Sequence, residues 1–258
     1  MTDLITCHED ERGVVDLCLN RADAFNAMSS EMLTQLQAAI DKVASSKTAR
    51  VVVLSAAGKA FCAGHDLLEM RANPSMDFYK TLFAQCSRMM LSLQALPVPV
   101  IAQVNGVATA AGCQLVGMCD LAVASNTSRF AVSGINLGLF CATPSVALTR
   151  NLPRKAAFEM LMTGNFITAD EALNKGLINA VVSAEQLPQE TERLVQSILA
   201  KPQVAVAMGK QLFYKQLETG IAQAYALAED TMACNMMDGA AQEGVQAFID
   251  KRAPSWKP

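Results

Sequence analysis

VNGVATAAGCQLVGMCD, Val104 to Asp120, reads as the end of a buried strand, a turn of small residues and the start of a helix. The run ATAAG carries little side-chain bulk, so a ligand or another strand can approach its backbone closely. A helix is expected from near Cys113. Its first amides lack partners within the helix and sit at the positive end of the dipole. Gln114 is the one polar side chain among apolar ones there, and an amide cannot trade a proton near neutral pH. Tight helix–sheet packing through small residues explains the same composition, so both meanings stay open at this point.

Around this stretch, strand-like and helical runs alternate. GVVDLCLN and RVVVLSAA are short and rich in β-branched residues, and VPVIAQVNG reads as a buried strand. DLAVASNTSRFAV holds two more short strands. SSEMLTQLQAAIDKVASS is helical with Ser30 as its expected N-cap. DFYKTLFAQCSRMMLSLQAL is a long helix closed by Pro97 and Pro99. The fold class is α/β, with strands joined through helices. After Lys155 the periodicity is almost wholly helical, with Gly164 and Gly176 placed as C-caps. The apolar faces of these late helices need a partner surface, supplied by the core or by another subunit. The 14 methionines read as adaptable packing residues.

Two further stretches can carry chemistry. In GKAFCAGHDLLEM, Gly58 to Met70, a strand ends in an Ala-Gly turn and a helix begins after His65. Free N–H groups at such a turn can hold a developing oxyanion. The His65 side chain reads as a local hydrogen-bonding group. In FAVSGINLGLFCATPSVALTR, Phe130 to Arg150, Gly134, Gly138 and Pro144 mark a loop before a helix. Cys141 and Thr143 are its reactive or polar members, and an apolar-flanked cysteine is usually structural.

Bulk numbers narrow the class. The 258 residues are 52% hydrophobic and 17% charged, enough for a large core. Net charge is −3, basic residues are scattered and aromatics make up 5%, which argues against nucleic acid as a partner. Eight cysteines without a C-x-x-C pair, and only two histidines, exclude a structural zinc site, so no metal is expected. No run is long and apolar enough to cross a membrane. An acidic opening, MTDLITCHEDERG, with unpaired thiols predicts a cytoplasmic location.

RADAFNAMSSEM, AFCAGHDLLEM, PVPVIAQVNGVATAAGCQLVGMCDLAVAS, GINLGLF and AFIDKRAPSW, in this order, resemble the crotonase, or enoyl-CoA hydratase/isomerase, superfamily. Within it, the NGxATAAGCQL and GLFC signatures are similar to a hydratase-domain-containing subgroup. The resemblance implies a spiral of β-β-α turns over residues 1–195. It implies a helical trimerisation region over 196–258, giving trimers or hexamers. It implies acyl-coenzyme A as substrate or ligand and no other cofactor. The amides of His65 and Ala111 would polarise the thioester carbonyl. Ala24, Phe25, Ala63, Asp66 and Leu67 would contact the coenzyme, and Phe248 would pack against its adenine or pantetheine side. Lys251, with Arg252, would either hold phosphates, often from a neighbouring subunit, or form a solvated helix end.

The two glutamates that hydratases of this family use correspond to Gln114 and Gly134. Three functions follow from the resemblance. One is a variant enzyme in which Cys141, Asp66, His65 or water moves the proton. It could also be a decarboxylase, although those enzymes carry a tyrosine where Cys141 stands. The others are a non-catalytic acyl-CoA binder and a structural trimer.

Overall fold

The computed structural model describes residues 3–256. β1 (Ile5–Glu9) and β2 (Val14–Leu19) form an antiparallel hairpin followed by α1 (Ser30–Ser45). Then the chain winds. β3 (Val51–Ala56) and β4 (Ala60–Cys62) lead into α2 (Leu67–Ala72) and α3 (Met76–Ala95). β5 (Val100–Val104) and β6 (Val107–Thr109) lead into α4 (Ala111–Met118). β7 (Leu121–Ser125) and β8 (Arg129–Ala131) lead through a 3-10 turn, Ser133–Leu137, into α5 (Ala142–Asn151) and α6 (Arg154–Thr163). β9 (Ile167–Thr168), α7 (Ala169–Asn174), β10 (Ala180–Val182) and α8 (Leu187–Leu199) close the core. α9 (Gln203–Leu217), α10 (Ile221–Met236) and α11 (Gly239–Ile249) follow.

After the β1–β2 hairpin, the pairs β3/β4, β5/β6 and β7/β8 each lay one strand in each of two sheets and return through helix, in keeping with the β-β-α expectation. The large sheet is ordered β1-β2-β3-β5-β7-β10, parallel beyond the hairpin. The small sheet is ordered β4-β6-β8-β9, with β4, β6 and β8 parallel. Strands buried on both faces explain the unbroken apolar runs. Val52 and Leu54 face the main core with Leu36 and Met89. Val51 and Val53 face the other way and, with Val14 and Ile101, pack with Val195 of α8.

α3 buries Leu82, Cys86, Met89, Met90 and Leu93, a helical stripe laid along α1. Ser29, not Ser30, is the N-cap of α1, because its side chain accepts the Met32 N–H at 3.2 Å. α4 starts at Ala111, two residues before the expected point. Pro144 lies inside the first turn of α5 rather than in the loop, where its missing N–H leaves no bond unmade.

The last three helices stand apart. α9 buries only Lys210, α11 only Ala247, and α10 nothing. Lys210 pins α9 to the core. Its Nζ donates to the Leu93 and Val98 carbonyls at 3.0 and 2.9 Å and to Asp120 Oδ2 at 2.7 Å. Tyr214 donates to Asp120 Oδ1 at 2.7 Å. Phe213, Ile221, Tyr225, Met232, Phe248 and Ile249 are exposed. Among the described residues, no helix is long and apolar enough to cross a membrane.

Candidate active site

Two turns meet at the ends of adjacent parallel strands. β4 and β6 pair side by side, with Cys62 opposite Ala108, so the turns that follow them are neighbours. Their contact is close. A methyl group on Gly64 would stand 2.9 Å from the Ala110 methyl and 3.4 Å from the Ala111 nitrogen. One on Gly112 would stand 2.1 Å from the Cys62 carbonyl oxygen. The small residues therefore do both jobs read from the sequence: they pack the turns together and leave backbone uncovered.

Each turn presents an unpaired amide. His65 forms a parallel bridge with Met28, in which Met28 N–H donates to the Gly64 carbonyl at 2.7 Å and Asp66 N–H to the Met28 carbonyl at 3.1 Å. That pattern uses the polar groups flanking His65 and turns its own N–H to the opposite side. Ala111 is the first residue of α4, where no intrahelical acceptor exists. Neither N–H donates to an acceptor among the described residues. Ala110 before it has φ 50° and ψ −119°, a conformation that costs a non-glycine residue about 1–3 kcal/mol. Bonds from its N–H to Ala131 and from Gln114 N–H to its carbonyl, both 3.0 Å, hold it there.

A cavity of about 290 Å³ opens beside the turns. Ala63, His65, Ala111, Ser133, Gly134 and Cys141 line it, and Met70 and Phe83 add apolar wall from α2 and α3. Leu67, Leu137, Leu139 and Phe140 also line it and are partly exposed. No lining residue is a carboxylate. Ser133 Oγ lies 2.8 Å from Thr109 Oγ1, tying the 3-10 turn to the end of β6. Phe83, Met70 and Ser133 were not legible as site residues, because nothing in their local spacing sets them apart from ordinary core.

The proton-active side chains differ from expectation. The His65 ring packs edge-on against Phe83 at 5.3 Å, with the Met28 carbonyl as its polar neighbour. Burial lowers its pKa, partly offset by the Met28 carbonyl and Glu69. Asp66 is no proton carrier. Its Oδ1 accepts the Leu68 and Glu69 amides at 3.0 and 3.1 Å, and its Oδ2 pairs with Arg21 at 2.8 Å. Burial acts to raise its pKa, but these partners outweigh that and hold the carboxylate ionised. Both its oxygens and its N–H are committed, so its side chain caps α2 and braces Arg21.

Gln114 is buried and lies outside the cavity lining. Gly134 lies where any side chain would collide: a methyl there would stand 2.7 Å from the Leu139 carbonyl oxygen and 2.8 Å from Cys141 Sγ. Burial raises the Cys141 pKa, opposed by the Gly134 N–H, so the thiol stays protonated.

Ala63 and Leu67 line the cavity, and the Phe25 carbonyl accepts the Ala63 N–H at 3.0 Å, which ties the Ala24–Phe25 turn to Ala63; neither Ala24 nor Phe25 is part of the lining. Phe25 is exposed in a left-handed conformation, φ 51°. Phe248 and Lys251 lie at and beyond the end of α11, and neither lines this cavity.

Comparison with known proteins adds an independent finding. The sequence model described as enoyl-CoA hydratase/isomerase matches residues 9–258. Enoyl-CoA hydratase domain-containing protein 3, mitochondrial, of Xenopus laevis is 45% identical over 98% of this chain and 86% of its own length. A crystal structure of an enoyl-CoA hydratase from Mycobacterium smegmatis is 61% identical, covers 98% of both chains and superposes with a TM-score of 0.97. That of the human enoyl-coenzyme A hydratase domain-containing protein 3 is 43% identical, covers 98% of this chain and 100% of that one, with a TM-score of 0.94. The cytoplasmic expectation is corrected here: curated relatives from frog and mammals are named as mitochondrial proteins. Unpaired thiols, on which that expectation rested, do not discriminate between the two compartments.

Proposed function

The chain belongs to the enoyl-CoA hydratase/isomerase family, and from this premise we propose that it binds acyl-coenzyme A thioesters and stabilises their enolates. The observation that carries this is the pair of unpaired amides, His65 and Ala111, at touching turns beside a cavity without a carboxylate. A thioester oxygen between the two N–H groups is polarised toward the enolate. One such donor is typically worth about 10²–10³ in rate. The cavity is near the lower limit of ligand pockets, so it suits a short acyl chain, with the nucleotide outside it.

Family hydratases place glutamates at the positions of Gln114 and Gly134. Positioned acid–base groups typically supply about 10²–10⁴-fold. Hydration here is therefore slow unless another group moves the proton. A second function, acyl-CoA decarboxylation, is favoured by the carboxylate-free lining. There the bond to the departing carbon dioxide breaks, its electron pair passes to the thioester oxygen, and water returns a proton to the α-carbon. Neither reaction needs a further cofactor.

The exposed apolar faces of α9–α11 support a homotrimer, alone or paired as a hexamer, with residues 196–258 as its oligomerising part. Phe248 and Lys251 then serve a neighbour's coenzyme. Calorimetric titration with butyryl-CoA, run beside crotonyl-CoA hydration and malonyl-CoA decarboxylation assays, tests the proposal. Saturable binding with turnover of either thioester supports it. Failure to bind butyryl-CoA overturns it.

A further inference from the structure

The apolar walls of the cavity beside the free amides differ in exposure. Leu67, Leu137, Leu139 and Phe140 are exposed and border its open side. Met70 and Phe83 are half-buried and form an inner wall, delivered by α2 and α3. A volume of about 290 Å³ cannot enclose a whole acyl-coenzyme A, since pockets near that size hold at most a drug-sized molecule. The nucleotide half therefore stays on the open side. From a thioester oxygen held at the His65 and Ala111 N–H groups, the acyl chain runs inward. Phe83 stands beside that point, its ring centroid 5.3 Å from that of His65.

The Phe83 ring is held from several sides. It meets the His65 ring edge-on and stacks on Tyr79, with centroids 6.5 Å apart and planes 23° from parallel. Phe78 packs edge-on against Tyr79 in turn, at 5.9 Å. Aromatic pairs in these geometries are favourable beyond the area they bury. The Tyr79 hydroxyl donates to the Met70 carbonyl at 3.1 Å, which ties α3 to α2 and fixes both halves of the inner wall. α3 itself is seated by its buried stripe, in which Leu82 and Cys86 flank Phe83. A close-packed wall of this kind does not yield to a longer ligand by small shifts. Truncating the ring would instead leave its volume open, because neighbours collapse into such a space only in part.

We propose that Phe83 is the specificity-determining residue for acyl length: its ring closes the inner side of the cavity, admits short chains such as butyryl and turns away medium chains such as octanoyl. This rests on the acyl-thioester function above and adds the class of acyl group to it. The selection works by exclusion. A methylene that a hydrophobic pocket cannot place is worth about 10–200-fold in discrimination, and an octanoyl chain carries several beyond butyryl. Tyr79 acts through Phe83 as its positioning residue, since it touches the ring and does not line the cavity.

The test is calorimetric titration with free coenzyme A, butyryl-CoA and octanoyl-CoA, on the full chain, Phe83→Ala and Phe83→Leu. The wild type should bind butyryl-CoA about 10-fold or more tightly than octanoyl-CoA. Phe83→Ala should move the ratio of those affinities toward octanoyl-CoA by about 10-fold or more, and Phe83→Leu by less, with free coenzyme A bound as before. Should Phe83→Ala fail to fold, Phe83→Leu, which keeps an apolar branched side chain, decides alone by the direction of the shift. A ring that only supports the fold would weaken both thioesters together, and that unchanged ratio overturns the proposal. Equal affinities in the wild type overturn it too, and both results leave acyl-CoA binding standing. No binding of butyryl-CoA by the wild type overturns the proposal and the acyl-thioester function together.

Discussion

α1 and α3 on one side, and α9, α10 and α11 on the other, carry similar helical periodicity and end in different surroundings. Each of the first two buries five side chains within this chain. The last three bury two between them, one of which is the Lys210 anchor. Inner helices find their partner in the spiral they close. Outer ones are held by a polar cluster at one end and leave their apolar faces outward. Amphipathic pattern therefore reports that a helix needs a partner, and says nothing of which chain supplies it.

The largest effect falls on the joint between the layers. Lys210→Met leaves the half-buried Asp120 without its cation and should cost about 3 kcal/mol or more in urea unfolding. A cost near zero would break the comparison, because the outer layer would then be held by something else. Gly134→Ala probes the inner side. Forcing a methyl against Leu139 and Cys141 should cost about 1–3 kcal/mol in the same measurement.

Asp66→Ala should cost about 1 kcal/mol as a lost helix cap. It should also change the acid limb of the stability–pH curve. The fold holds the Asp66 pKa below its ordinary value. Its contribution is therefore present above the unfolded pKa of about 3.9 and lost as pH falls through that value toward the folded one. The variant should lose stability less steeply than wild type over that window. Smallest is Phe248→Asp, a surface change expected to shift single-chain stability by less than about 0.5 kcal/mol. Light scattering should nonetheless show a smaller assembly. An unchanged mass would place the interface elsewhere.

The long elements were legible because burial writes itself into them. Val51–Leu54 is apolar on both faces, and α3 repeats its stripe over about three turns. β4, β6 and β8 have three residues each, too few for any period to register, so the small sheet appears only through pairing. Ser29 and Ser30 are chemically equivalent cap candidates, and one hydrogen bond chooses between them. At the site, the small-residue turns signalled exposed backbone. The commitment of Asp66 to Arg21 and to α2 was invisible, since an aspartate after a histidine looks the same whether it caps or reacts. Phe83 reaches the cavity from α3, eighteen residues beyond His65, carrying only the signature of core.

The crowding at Gly134 limits what this position can become. A glutamate there strains the loop as it stands, because its Cβ would meet the Leu139 carbonyl and Cys141 Sγ before its carboxylate reached the cavity. The loop would have to be rebuilt first, by changes that bring no acid–base group themselves. New activity is more accessible through the cavity walls than through that position.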